Sequence, residues 1–130
     1  MLLFSGKGYD DEFAANMSFI IGELRNNPNE LLILVKGFDD ICLHCPNLSE
    51  DKQCQLGNED VLKKDDFVLS KLRLETHRKY TYKEILTNIA VQMTDDCFSS
   101  CCNNCRWFKM NYCSYEELIK NSKLYYSTLY

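Results

Sequence analysis

Asp10-Asp11-Glu12-Phe13-Ala14-Ala15-Asn16-Met17-Ser18-Phe19-Ile20-Ile21-Gly22-Glu23-Leu24-Arg25-Asn26 is followed, after Asn27-Pro28-Asn29, by Leu31-Leu32-Ile33-Leu34-Val35-Lys36-Gly37. In the first stretch Phe13, Met17, Ile20, Ile21 and Leu24 recur at three and four, the spacing of one helical face. Asp10, Asp11 and Glu12 stand where the positive end of that helix falls, and Asn26-Asn27-Pro28-Asn29 stops it. Leu31–Lys36 is an aliphatic run ended by Gly37 and reads as a buried strand. A helix beside a strand, with no second strand–helix–strand unit after it, predicts an α+β chain.

Outward from there the pattern is mostly helical. Phe38-Asp39-Asp40-Ile41 leads into a polar segment with Pro46 and Gly57, a loop with room for one helical turn. Asn58 is placed to cap a helix to about Leu72, with Val61, Leu62, Val68, Leu69 and Leu72 inward. Residues 73–80 are charged and read as a connection. Thr81-x-x-Glu84 is a capping box for a helix with Ile85, Leu86, Ile89, Ala90 and Met93 on one side. Asp95-Asp96 starts another helix, and Ser114-x-x-Glu117 caps a last one containing Leu118 and Ile119. The expectation is one small domain over residues 1–130, mainly helical with a short sheet and two cysteine-bearing loops that approach each other.

Those loops carry the only strong chemical signature. Cys42-Leu43-His44-Cys45 is followed by Cys54, and Cys102-Asn103-Asn104-Cys105 by Cys113. Two residues between cysteines let the backbone turn so that both thiolates face one ion, and the later cysteine closes the cage. The flanking sequences do not match, so the two clusters are not a repeat. Cys97, Cys101 and Cys105 are spaced by four and would stack on one helix face, adding a sulfur or filling a core seam. Adjacent residues of a helix do not both reach one metal easily, which favours Cys102 over Cys101.

The setting supports ligands over disulfides. Met1–Gly6 shows no secretory signal, and the longest aliphatic run, Leu31–Val35, is far too short for a membrane span. A cytoplasmic location follows, where thiols stay reduced. Eight cysteines in 130 residues also fall below the density of small disulfide scaffolds. The net charge of −4 argues against nucleic acid as the main partner. It is unevenly spread, −7 over residues 1–62, +4 over 63–83 and −1 over 84–130. The basic stretch (Lys63, Lys64, Lys71, Arg73, Arg78, Lys79 and Lys83) reads as a solvated helix face and a charged loop.

Zinc and iron–sulfur both suit such thiols, and each cluster is a pair plus a single, not the two pairs of a zinc ribbon. Cys45-Pro46 is a step also found in bacterial ferredoxins. Trp107, Phe108 and Tyr112 could shield a cofactor or simply pack in the core. His44 is a spare ligand or supporting donor, while His77 reads as exposed. Cys42-x-x-Cys45 after a strand also suggests thiol–disulfide exchange, although a third cysteine would interfere. Gly6-Lys7-Gly8 lacks the rest of a phosphate loop and reads as a turn.

Gly6-Lys7-Gly8-Tyr9, the helix with Phe13 and Met17, Asp39-Asp40-Ile41-Cys42-x-x-Cys45-Pro46, Cys54, and Cys102-x-x-Cys105-x-Trp107 to Tyr112-Cys113 together resemble domain-of-unknown-function family 1284. Its members are bacterial and archaeal proteins of about this length, candidate iron–sulfur binders with no established activity. The resemblance implies that Cys42, Cys45, Cys54, Cys102, Cys105 and Cys113 are the ligands, with Cys97 and Cys101 peculiar to this chain. Family members generally carry an arginine, a histidine pair and a cysteine just upstream of the run seen here as Leu2-Leu3-Phe4. The expectation is that a ligand from that segment is missing here. The leading reading is an iron–sulfur protein that moves electrons or senses redox state with an unidentified redox or protein partner. The alternative is a structural zinc module that serves protein interaction.

Overall fold

The structure, a computed structural model, describes Gly6, residues 8–103 and residues 105–123, and of Arg106 and Trp107 the backbone only. The Leu2-Leu3-Phe4 run, the whole of the Gly6-Lys7-Gly8 turn and the shielding role of Trp107 therefore lie outside the described residues.

Helix α1 spans Asp11–Asn26 and is opened by Asp10, whose side chain accepts from the Phe13 amide at 2.8 Å. Strand β1 spans Leu31–Ile33, α2 Asn58–Leu72, β2 Lys79–Thr81, α3 Tyr82–Gln92, α4 Asp95–Cys102, α5 Arg106–Lys109 and α6 Tyr115–Ser122. The fold is a small α+β domain with one antiparallel two-stranded sheet, Leu31 opposite Thr81 and Ile33 opposite Lys79. None of the described helices is long and apolar enough to cross a membrane.

The capping chemistry decides most boundaries. Thr81 and Glu84 make the reciprocal capping box at the start of α3. Ser114 accepts from the Glu117 amide at the start of α6. At α4 the cap is Thr94, which accepts from the Cys97 amide, while Asp95 and Asp96 fill the first turn.

Three expectations need correction. The strand is three residues long and not buried: Leu31 is 61% and Ile33 50% exposed, because a two-stranded sheet covers only one face of β1. Its partner β2, Lys79–Thr81, overlaps the end of the charged stretch read as a connection, since three residues carry no period. Asn58 is the first residue of α2, not its cap. Gly57 takes the capping position at φ 141, a conformation side chains rarely adopt. The Asn58 side chain instead accepts from the Cys54 amide at 3.1 Å.

The core lies where α1, α2, α3, α4 and α6 meet, with Met17, Ile21, Leu72, Leu86, Phe98 and Leu118 buried. Contacts run from α3 to α6, from α2 to both α3 and α4, and from α4 to α6. Phe98 holds Phe108 edge-on at 5.8 Å and Tyr115 at 6.2 Å, so Phe108 is a core ring. Part of the basic stretch spends its charge locally. Lys64 pairs with Asp60 and Arg78 with Glu75, and Lys71 lies over the Phe67 ring.

Candidate functional site

The first cysteine group is built by two local turns. The Asp39 carboxylate accepts from the amides of Ile41 and Cys42 at 2.9 and 3.1 Å, which starts the helical turn Cys42–His44. The Cys45 amide closes it onto the Cys42 carbonyl at 3.0 Å. The chain then runs out and back. Ser49 and Gln53 pair, Leu48 bridges Cys54, and Lys52 takes a left-handed φ of 59 at the tip. Asn58, reaching back from α2, fixes the returning Cys54 amide. Cys42, Cys45 and Cys54 thereby line one cavity of about 160 Å³, walled mainly by apolar side chains including Tyr9, Phe13 and Phe38. Burial pushes the Cys42 thiol up to about 11, with the charges of Asp39 and Cys45 adding to it. His44 is exposed, and its Nδ1 lies 3.0 Å from Glu12 on α1.

The second group sits on the end of α4 and the turns after it. The helix stops at Cys102, and the Cys105 amide folds back onto the Cys102 carbonyl at 2.8 Å. Cys105 therefore leaves the helix face that spacing by four predicts for it. Asn111, at φ 62, donates to the Phe108 carbonyl and turns the chain so that Cys113 returns just before the α6 cap. The Cys102 thiol donates to Cys101. It is pushed strongly up by that bond, then by burial and by the charges of Cys101, Cys105 and Cys113. The same hydrogen bond lowers Cys101 to about 7, and the Lys64 ammonium helps, against burial, Asp65 and Asp60. Burial pulls Lys64 down, but its 3.2 Å pair with Asp60 and the charges of Cys105 and Cys101 outweigh that. Cys97, 8% exposed, is in the core, with its thiol raised mainly by burial.

The two groups flank α2 on different faces. Asn58, Val61 and Asp65 face the first group's loop, through Cys54, the cavity and the Gly37 amide. Asp60 and Lys64 face the second group. At 100° per residue the centres of these faces are roughly 120° apart.

All eight cysteines are free. Among the described residues, no three histidine, cysteine or acidic side chains converge closely enough to hold a metal ion. The donor chemistry nonetheless fits a thiophilic metal. Each group carries three cysteines on short turns, and the first pair in each lies behind the same backbone turn. Spacing identified six of these thiols, but it missed the supporting residues Asp39, Asn58 and Lys64. Asp39-x-x-Cys42 is a local turn signal that points to Asp39; nothing in the sequence pairs Asn58 with Cys54 or Lys64 with Cys101.

No curated protein and no solved structure matches the chain. A family model described as a protein of unknown function, DUF1284, matches residues 8–113, a span that takes in every cysteine placed above. The chain therefore belongs to the DUF1284 family of proteins of unknown function.

Proposed function

We propose that the chain binds a metal centre through cysteine thiolates, and that the Cys42, Cys45 and Cys54 cavity holds an iron–sulfur cluster used to transfer electrons or sense redox state. The observation that carries this is that three cysteines from two turns line one apolar-walled cavity. Such a cluster would supply one-electron chemistry, and apolar walls keep water from it and tune its potential. The chain's own part is to present the thiols. Asp39 holds the turn that carries Cys42 and Cys45, and Asn58 holds Cys54. Because burial favours the neutral Cys42 thiol, uptake must displace its proton. A cytoplasmic setting belongs to the same reading, since eight free thiols need a reducing compartment.

Thiol–disulfide exchange at Cys42 is disfavoured, because an attacking cysteine needs a lowered pKa and burial raises this one. A structural zinc module is the stronger competitor. Protein purified without oxygen is expected to be coloured and to contain iron and acid-labile sulfide. Colourless protein with neither, and with zinc at a near-integer ratio, would select the zinc module.

A further inference from the structure

We propose that the space bordered by the inner face of β1 and by helices α2, α3 and α6 is a binding site for an uncharged, hydrocarbon-rich small molecule. The proposal goes beyond the metal reading and does not depend on it.

The cavity there measures about 420 Å³, against about 160 Å³ for the one at the first cysteine group. Folded interiors hold few voids larger than a water molecule, and pockets that take small molecules run to about 300–1,000 Å³. Helix α3 supplies the longest wall. Tyr82, Ile85 and Ile89 recur at three and four along one of its faces, and Met93 continues the row just past its end. Leu32 of β1, Leu72 of α2 and Leu118 of α6 stand around the other sides. Leu72 and Leu118 are buried against the helical core, whereas Leu32, Ile85, Ile89 and Met93 stay only half-buried. These four border an open space, which is why inward-facing aliphatic side chains keep contact with solvent.

The walls specify the chemistry of the occupant. Every side chain around the cavity is apolar except for the Tyr82 hydroxyl and the Cys113 thiol. No carboxylate, ammonium, guanidinium or imidazole lines it, and phenols and thiols at their ordinary pKa values are mostly uncharged at pH 7. A charged group taken into such surroundings would lose its water and find no partner. The molecule that fits is therefore neutral. Size sets a second condition. An apolar cavity of about 150 Å³ already takes up benzene, so this one has room for two linked ring systems or a hydrocarbon chain of similar bulk.

The full chain, reduced and metal-free, is titrated with N-phenylnaphthylamine, an uncharged probe whose emission rises and shifts to the blue away from water. A parallel titration uses its anionic relative, anilinonaphthalene sulfonate. The uncharged probe should saturate at one molecule per chain and bind at least about 10-fold more tightly than the sulfonate. Ile89→Trp fills the space from α3 and should abolish saturable binding. Val91→Trp adds the same bulk on the exposed side of α3 and should leave it unchanged. Methyl NMR of the parent chain requires no variant to fold. There the probe should shift the methyl signals of Leu32, Ile85 and Ile89 and leave those of Leu43 and Leu56, exposed elsewhere, in place. Failure of the uncharged probe to saturate, equal affinity for the sulfonate, or shifts confined to the outward Leu31 and Ile33 would each overturn the site.

Discussion

The turn at Cys42–Cys45 closes with a backbone hydrogen bond of 3.0 Å and the one at Cys102–Cys105 with 2.8 Å, yet the two are surrounded by different chemistry. The first opens onto an apolar-walled cavity, where burial pushes Cys42 up to about 11. The second lies against the charged face of α2, where a neighbouring thiol and Lys64 bring Cys101 down to about 7. A shared motif therefore fixes the backbone turn and leaves the protonation of the nearby thiols to burial and to the groups beside them.

The largest expected effect tests the frame both groups share. Leu86 is 1% exposed at the heart of the helical core. Leu86→Ala should cost about 2–5 kcal/mol in urea unfolding and should impair metal uptake at both groups together. Loss at one group alone would mean that they do not depend on a common core.

Alkylation of the reduced, metal-free chain separates the groups directly. At pH 8 a thiol at about 7 is almost wholly thiolate and one at about 11 is roughly 0.1% ionised, a ratio near ~10³. The weaker thiolate is intrinsically slower by roughly 40–100-fold, so Cys101 should react with iodoacetamide about ten times faster than Cys42. Peptide mass mapping against time reads this ratio. Equal rates would erase the electrostatic difference between the groups.

A smaller pair of substitutions tests whether α2 insulates one group from the other. Asn58→Ala removes the acceptor for the Cys54 amide, worth about 1 kcal/mol, and should weaken metal at the first group alone. Lys64→Met removes the cation beside Cys101 and Cys105, and should weaken the second alone by roughly 10-fold. Competition titrations with a chelator read both. Either variant affecting both groups would show that the faces of α2 communicate.

Helices were legible in this sequence because their signals are local. Phe13, Met17, Ile21 and Leu24 repeat at the helical period, Asp10, Asp11 and Glu12 mark the positive end, and Thr81 and Ser114 announce their own caps. The strands were less so. Lys79–Thr81 is too short to carry a period, and Leu31–Ile33 looked buried because aliphatic content does not reveal how many strands will cover it. The thiols were found by spacing, since a two-residue turn is itself a local constraint. What spacing could not supply is contact across the fold. Asn58 looked like a cap and supports Cys54.

The smallest effect concerns Asp65, which touches both environments at once. Its carboxylate accepts from the Gly37 amide at 2.7 Å, beside the first cavity, and its charge is felt by Cys101 in the second group. Burial raises its pKa above the ordinary 3.8, with Asp39 and Asp66 adding and the Gly37 bond and Lys36 opposing. A raised carboxyl binds its proton more tightly in the folded chain than in the unfolded one. Stability from this group is therefore present at low pH and lost as pH rises from about 3.8 through the raised value. Asp65→Asn keeps an oxygen for Gly37 and removes the charge. The variant should be slightly more stable than the parent at pH 7, with the difference shrinking toward pH 4 in parallel urea titrations. It should also ease ionisation of Cys101, which Asp65 opposes, and leave Cys42 unchanged, since Asp39 and not Asp65 acts there. A shift in the alkylation rate of Cys42 as large as that of Cys101 would show that one field governs both groups.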